Sequence, residues 1–230
     1  WPAQAQALQS SVLADTVSAP LVADGDTGYG GLLNVQHTVR GYERAGAAGI
    51  QLEDQEFPKK CGHTPNRKVI PLEDMVEKIK VAAESRDSSD FAIVARTDAR
   101  TNYGLDEALR RGEAFAKAGA DILFIEAPES VEEMEKICSS FDKPLLVNVV
   151  EGGKTPVLSA EEYTGLGYSM AIYPGTGFLA MGAALRSVYG RLKETGSSLG
   201  APQKLDDFGA FSRTMGFGDV WDFEKAHAQD

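Results

Sequence analysis

Two short stretches of this 230-residue chain carry most of its reactive side chains. One is Asp24-Gly25-Asp26-Thr27-Gly28-Tyr29-Gly30-Gly31. The other runs from Glu53-Asp54 to Lys59-Lys60-Cys61-Gly62-His63. In the second, a thiol stands beside two ammonium groups. A nearby cation favours thiolate over thiol, so Cys61 reads as a proton donor or nucleophile near neutral pH. A basic surface turn with an incidental thiol would show the same letters. His63 reads as a base or an anion donor, or else as loop packing. In the first stretch, Asp24 and Asp26 alternate at what reads as a strand end, which puts them on one face. Glu53 ends the next strand. Three clustered carboxylates repel one another unless a cation lies between them. Hard oxygen donors of this kind suit a partly hydrated Mg²⁺, with Mn²⁺ as the other fit; helix caps and solvated loop acids are the plainer alternative. Gly28, Gly30 and Gly31 either let the backbone approach a ligand or simply make a tight turn. Arg96, at a further strand end, can grip a carboxylate with both arms of its fork, or pair internally with Asp98 or Glu126. His37 falls in a helical pattern as a surface or core residue, and no role is read for His227.

Such residues need a scaffold that gathers strand ends. Apolar runs at 21–24, 50–53, 91–96, 121–126, 144–148 and 168–173 read as strands. They alternate with helical patterns at 35–45, 71–83, 106–118, 131–139, 159–164 and 178–193, and a further helix-like segment spans 3–14. Ser159 and Glu162 have capping-box spacing. Continuously apolar strands are buried on both faces, which predicts a parallel sheet covered by helices. The strands end in Asp24/Asp26, Glu53/Asp54, Arg96/Asp98, Glu126 and Asn148. Polar groups at the C-terminal ends of many strands point to a (β/α)₈ TIM-type barrel rather than an open sheet with one switch point. Six strands are read where a closed barrel has eight, and the chain opens on Trp1-Pro2 directly before a helix. The expectation is that the first two strands lie outside this chain, with a barrel body over 1–196 and a C-terminal helical extension over 197–230. Phe208, Phe211, Phe217 and Trp221 make that extension too apolar for a free tail; it should pack on the barrel or on a neighbouring subunit.

The formal net charge is −11. Acidity on this scale excludes non-specific nucleic-acid binding, which rests on Lys and Arg against phosphate. It leaves room for an anionic substrate, because Lys59 and Lys60 set the local field. No apolar run is long enough to span a bilayer, so no membrane role is expected. Two cysteines in a chain this long make no disulfide framework, and a cytoplasmic location, or an organelle matrix, is the natural compartment. Cys61-Gly62-His63 lacks the second pair a zinc finger needs. Cys138, in Met134-Glu135-Lys136-Ile137-Cys138, reads as a core-packing residue.

Taken together, the motifs resemble those of the isocitrate lyase / phosphoenolpyruvate mutase superfamily, over essentially Leu21 to Lys193. The resemblance is carried by Asp24 to Gly30, by Glu53-Asp54-Gln55 with Lys59 to His63, by Ala95-Arg96-Thr97-Asp98-Ala99, and by Asn148-Val149-Val150-Glu151-Gly152-Gly153-Lys154-Thr155-Pro156. It implies a Mg²⁺-dependent lyase that splits the bond between carbons 2 and 3 of a small 2-hydroxy di- or tricarboxylate, giving a 2-oxo acid such as pyruvate and a second carboxylate. Asp24, Asp26 and Glu53 would hold the metal, directly or through water. Arg96 would help stabilise the keto-acid side, and Cys61, on a closing loop over 54–70, would protonate the departing carbanion. Lys59, Lys60 and His63 would tune Cys61 or hold substrate. Gly62, Glu126, Asn148, Glu151, Thr155, Pro156 and Pro174 complete the implied substrate site. The run from Glu151 to Pro156 resembles the dimethylmalate lyase and petal death protein group more than dedicated 2-methylisocitrate lyases. Pro174 stands where oxaloacetate hydrolases carry a serine. A carboxyphosphonoenolpyruvate mutase-like reaction and oxaloacetate hydrolysis are the rival activities. A non-enzymatic scaffold would have no need of Asp24, Asp26, Glu53, Cys61 and Arg96 together. The family's first strands supply a further carboxylate-gripping cluster and another acid; without those segments the chain should neither close its barrel nor turn over. The resemblance also implies a homotetramer that exchanges C-terminal helices.

Overall fold

Six short strands pair side by side, all parallel, in strict chain order. They are β1 (Val22–Asp24), β2 (Gly49–Glu53), β3 (Ala92–Thr97), β4 (Ile122–Ile125), β5 (Leu145–Asn148) and β6 (Met170–Ile172). An open doubly wound sheet reverses its order at a switch point. This sheet does not, and the fold is the α/β wall of a TIM-type barrel. The structure is a computed structural model that describes residues 2–60 and 67–228. It falls into two compact units, Trp1–Thr176 and Gly177–Asp230. Among the described residues no helix is long and apolar enough to cross a membrane.

The strands are connected through α2 (Leu32–Arg44), α3 (Leu72–Ser85), α4 (Arg100–Tyr103), α5 (Leu105–Lys117), α6 (Val131–Ser139) and α7 (Ala160–Leu166); α1 (Pro2–Thr16) precedes β1. Side chains alternate across a strand, and the alternation sorts this sheet into two faces. Ile50, Leu52, Ile93, Ala95, Leu123, Ile125, Leu145 and Val147 pack against Val35, Val39, Met75, Ile79, Phe115, Met134 and Tyr163 of the helices. The opposite face carries a smaller apolar layer of Val94, Phe124 and Leu146, flanked by Val22, Ile122, Met170 and Ile172. On that second face Arg96 comes two residues beyond Val94 and Asn148 two beyond Leu146, and Glu53 lies beside Arg96 in register. Cys138 is half-buried against the helix-side core, as its helical pattern implies, and burial pushes its thiol up to about 11.

Three local expectations need correction. Asp26 does not extend the strand: β1 stops at Asp24, Asp26 has φ 49°, and its N–H donates to Asp24 Oδ1 at 2.8 Å. The two carboxylates meet through a turn, not through strand alternation. Tyr168 lies outside β6 because its N–H still answers the Tyr163 carbonyl at the end of α7, beyond the left-handed Gly167. The short α4 was hidden because Arg100-Thr101-Asn102-Tyr103 has no apolar periodicity. The capping box forms as its spacing implies, with Ser159 and Glu162 each satisfying the other's backbone.

The second unit contains most of α8 (Thr176–Thr195) with α9 (Phe208–Thr214) and α10 (Phe217–His227), and no residue of these helices is buried. Phe208 is 86% exposed, and Phe178, Phe211, Phe217 and Trp221 are exposed as well.

Candidate active site

The strand register sets the site. Glu53 of β2 lies beside Arg96 of β3, and Arg96 beside Phe124 of β4. All three are on the second face of the sheet, at its C-terminal edge, where barrel enzymes place their chemistry. The Arg96 guanidinium lies 5.0 Å from the Phe124 ring centroid. Its Nε and Nη2 donate to Asp98 Oδ2 and Oδ1 at 2.9 and 3.0 Å. Glu53 Oε2 stands 3.7 Å from Nε and Glu126 Oε1 3.8 Å from Nη2. Burial works against the Arg96 charge, but Glu126 and Asp98 outweigh it and hold the group firmly protonated. Arg96 therefore does form the internal pair with Asp98. The Nε–Nη2 edge is taken by Asp98.

Glu53 is buried, and among the described residues neither of its carboxylate oxygens has a hydrogen-bond donor. Burial pushes its carboxyl up to about 7 against the opposing pull of Arg96 and Lys59. An unsatisfied buried carboxylate is costly unless something cationic answers it. Here Lys59 does: its Nζ is 3.7 Å from Glu53 Oε1, 3.7 Å from Asp24 Oδ2, and in contact with Asp26. Burial lowers the Lys59 pKa, but the bond to Asp26 and the charges of Asp24 and Glu53 win and raise it.

The three carboxylates thus close on one cation, as their clustering requires, and in this structure that cation is an ammonium. Among the described residues no group of three or more His, Cys, Asp or Glu side chains is spaced as a preformed metal cage. The donor set still fits a hard divalent ion: the donors are carboxylate oxygens, they converge on a single positive charge, and Glu53 has both oxygens without a donor.

Backbone strain gathers in the same loops. Asp26, Tyr29 and Ala127, directly after β1 and β4, are non-glycine residues with φ of 49°, 58° and 59°. Such residues cost energy and persist where the surroundings hold them, commonly at functional sites. Gly28 has no alternative: its φ is +85°, and a Cβ there would lie 2.6 Å from Val35 Cγ2. Tyr29 and Tyr42 pair their hydroxyls at 3.1 Å, and Tyr42 donates to the Asp24 carbonyl at 3.2 Å, which anchors the loop.

The remaining expected residues are distributed as follows. Asn148 Nδ2 donates to Glu126 Oε1 at 3.2 Å, so these two belong with Arg96. Thr155 is buried, with its hydroxyl unpartnered among the described residues. The Pro156 carbonyl accepts from Tyr163 Oη at 2.9 Å, and Glu151 accepts from Thr176 Oγ1 at 2.6 Å. Pro174 sits in the exposed turn after β6. Lys60 has its backbone N–H and carbonyl both held by the Gln55 amide, each at 2.9 Å. Cys61, Gly62 and His63 lie outside the described residues. Three further residues matter: Asp54 and Gln55, which stood in the Glu53-Asp54-Gln55 motif without an assigned role, and Arg67, which no motif flagged. Gln55 clamps Lys60. Asp54 accepts from Thr97 Oγ1 at 2.7 Å, the Asp98 N–H at 2.9 Å and Arg111 Nη1 at 3.0 Å. Arg67, wholly buried, reaches Asp98 and Thr101. Arg67 and Arg111 gave no local signal of their contacts to Asp98 and Asp54, which lie 31 and 57 residues away in the chain.

Comparison with known proteins gives a consistent result. The sequence profile described as phosphoenolpyruvate phosphomutase matches residues 3–193. The chain is 44% identical to 2,3-dimethylmalate lyase of Eubacterium barkeri, covering 96% of this chain and 76% of that protein. It is 41% identical to 2-methylisocitrate lyase of Aeropyrum pernix, over 97% of this chain and 71% of the other. Among solved structures, 2,3-dimethylmalate lyase superposes with a TM-score of 0.90 at 30% identity, over 98% of this chain and 76% of that one. Phosphonopyruvate hydrolase in complex with oxalate and Mg²⁺ superposes with a TM-score of 0.82 at 29% identity, over 96% and 77%.

Proposed function

The chain belongs to the phosphoenolpyruvate phosphomutase family, and from that premise we propose that its site serves a Mg²⁺-dependent carbon–carbon lyase acting on a 2-hydroxy dicarboxylate or tricarboxylate of the 2,3-dimethylmalate or 2-methylisocitrate type. The observation that carries this reading is the convergence of Asp24, Asp26 and Glu53 on one cation beside Arg96, in a chain 44% identical to a 2,3-dimethylmalate lyase.

Asp24, Asp26 and Glu53 are the residues that would hold the metal, directly or through water. When bound, the ion supplies Lewis-acid stabilisation to the oxygens of the 2-hydroxy, later 2-oxo, carboxylate. Arg96, fixed on Asp98 and over Phe124, offers its free edge to a substrate carboxylate and holds it through the reaction. A general base takes the hydroxyl proton, the freed O–H pair forms the C2=O bond of the 2-oxo acid, and the C2–C3 electron pair leaves with carbon 3. The thiol of Cys61 returns a proton to carbon 3. Asn148 and Glu126 shape the wall beside Arg96, and Thr155 and Pro156 extend it toward the second carboxylate. Dicarboxylates with one methyl more or less differ in such a pocket by only about 1–3 kcal/mol.

The test is release of 2-oxo acid from 2,3-dimethylmalate, 2-methylisocitrate, isocitrate and oxaloacetate, each with and without EDTA. EDTA-sensitive pyruvate from either of the first two is the expected result. Oxalate and acetate from oxaloacetate would replace the lyase reading with hydrolysis, and turnover of a carboxyphosphonate alone would replace it with phosphonate chemistry. Cys61→Ser should abolish cleavage without loss of fold; wild-type turnover in that variant would remove Cys61 from the mechanism.

The exposed apolar faces of α8, α9 and α10 support a second part of the reading, that other copies of this chain cover them in a homotetramer with exchanged helices. Sedimentation as a compact monomer would reject it.

A further inference from the structure

Two buried arginines share one carboxylate. Asp98 takes the Nε–Nη2 edge of Arg96 at 2.9 and 3.0 Å. Its Oδ1 also receives Arg67 Nη1, while Arg67 Nη2 donates to Thr101 Oγ1 and the Arg67 carbonyl accepts from Asn102 Nδ2. The Arg67 side chain is 1% exposed and that of Asp98 0%. The Asp98 N–H is tied to Asp54 Oδ1 at 2.9 Å, so the turn that carries this carboxylate is itself pinned.

The charge count around Arg96 explains why the second arginine matters. Carboxylates of Asp98, Glu53 and Glu126 all stand within 4 Å of its guanidinium. One guanidinium facing three carboxylates has little field left for an arriving anion. Water cannot screen the excess in so buried a setting. Arg67 places a second positive charge on the nearest of the three acids.

We infer that Asp98 and Arg67 are positioning residues for Arg96: Asp98 fixes the guanidinium over Phe124, and Arg67 neutralises Asp98 so that the edge of Arg96 that Asp98 does not hold stays attractive to a substrate carboxylate. Neither residue touches the reacting atoms. The inference rests on the proposed role of Arg96 as the carboxylate-binding group.

The test uses the full-length protein, with the segment that supplies the first two strands, and Mg²⁺; it combines oxalate as a dicarboxylate probe in titration calorimetry with steady-state kinetics on whichever of the four acids turns over. In Arg67→Gln, oxalate affinity should fall about tenfold and KM rise by a similar factor, with kcat within about threefold of wild type. That split marks an interaction made equally in ground and transition states. Arg67→Lys keeps the charge and should recover most of the loss, which a purely structural role for the guanidinium would not predict. If Arg67→Gln fails to fold, Thr101→Val carries the test: it removes only one contact to Arg67 and should weaken oxalate about two- to threefold. Unchanged oxalate affinity in the folded variants, or a fall in kcat with KM and oxalate affinity unaltered, would overturn the inference. A wild-type chain that neither binds oxalate nor turns over any of the four acids would instead sink the carboxylate site itself, and the inference with it.

Discussion

Glu53 and Asp54 are neighbours in sequence, both carboxylates and both buried, yet they live in opposite circumstances. Asp54 faces the helices and is saturated: a hydroxyl, a backbone N–H and the Arg111 guanidinium all donate to it. Burial pushes its carboxyl up to about 6 despite those donors. Glu53 faces the other side of the sheet, has no hydrogen-bond donor among the described residues, and is answered only by cations 3.7 Å away. One step along a strand turns a side chain from one face to the other. A saturated buried acid holds a fold together, whereas an unsaturated one ringed by cations is ready to take a ligand. The pair teaches that burial and charge alone do not mark a functional acid; the unfilled lone pairs do.

The largest expected effects follow from exchanging these two roles. Asp54→Ala leaves the buried Thr97 hydroxyl and Asp98 N–H without their acceptor and takes from Arg111 one of its two carboxylates, Glu107 remaining on Nε; it should cost about 3–5 kcal/mol in urea unfolding, as for breaking a buried pair together with its hydrogen bonds. Glu53→Gln removes a charge that lacks donors, so stability should hold within about 1 kcal/mol, while turnover drops on the order of 100-fold, as for loss of one stabilising group in a transition state. A Glu53→Gln variant that unfolds as readily as Asp54→Ala would erase the contrast.

Lys59 sharpens it further. Its ammonium is the cation that the three carboxylates share here. Lys59→Met should lower the melting temperature of the metal-free protein, and added Mg²⁺ should restore it by more than it raises wild type. A difference of about 1 kcal/mol corresponds to roughly 2–4 °C in a chain of this size. Equal Mg²⁺ gains in both proteins would mean that the ammonium and the ion do not compete for one place.

How much of this was legible in the letters depends on the range of the interaction. The parallel sheet in chain order followed from apolar runs alternating with helical patterns. Glu53, Arg96 and Asn148 could be gathered because each ends a strand, and strand ends in such a sheet meet at one edge. The capping box at Ser159 was readable because both partners lie within one helical turn. What stayed hidden is held by long-range contacts. Arg67 lies 31 residues from Asp98 and Arg111 lies 57 from Asp54. Lys59 was read as a neighbour of Cys61, and only the folded loop carries it to Asp24 and Asp26. The turn that brings Asp26 to Asp24, with Asp26 left-handed, was readable from Asp24-Gly25, a common turn pair, but the apolar run before it led to a strand end being read instead.

The smallest effect tests the helix side of the comparison alone. Ser159 caps α7 by accepting from the Glu162 N–H at 3.2 Å, while Glu162 answers the Ser159 N–H at 2.7 Å. The helix follows directly on Thr155 and Pro156, and Tyr163 within it holds the Pro156 carbonyl. Ser159→Ala should cost about 1 kcal/mol of stability, the usual worth of an N-cap. Because Tyr163 anchors Pro156 independently of the cap, kcat and KM should both stay at wild-type values. A shift in KM would show that the position of α7 is transmitted into the substrate wall, and the line between the face that holds the fold and the face that binds would then lie further inside the sheet than Glu53 and Asp54 suggest.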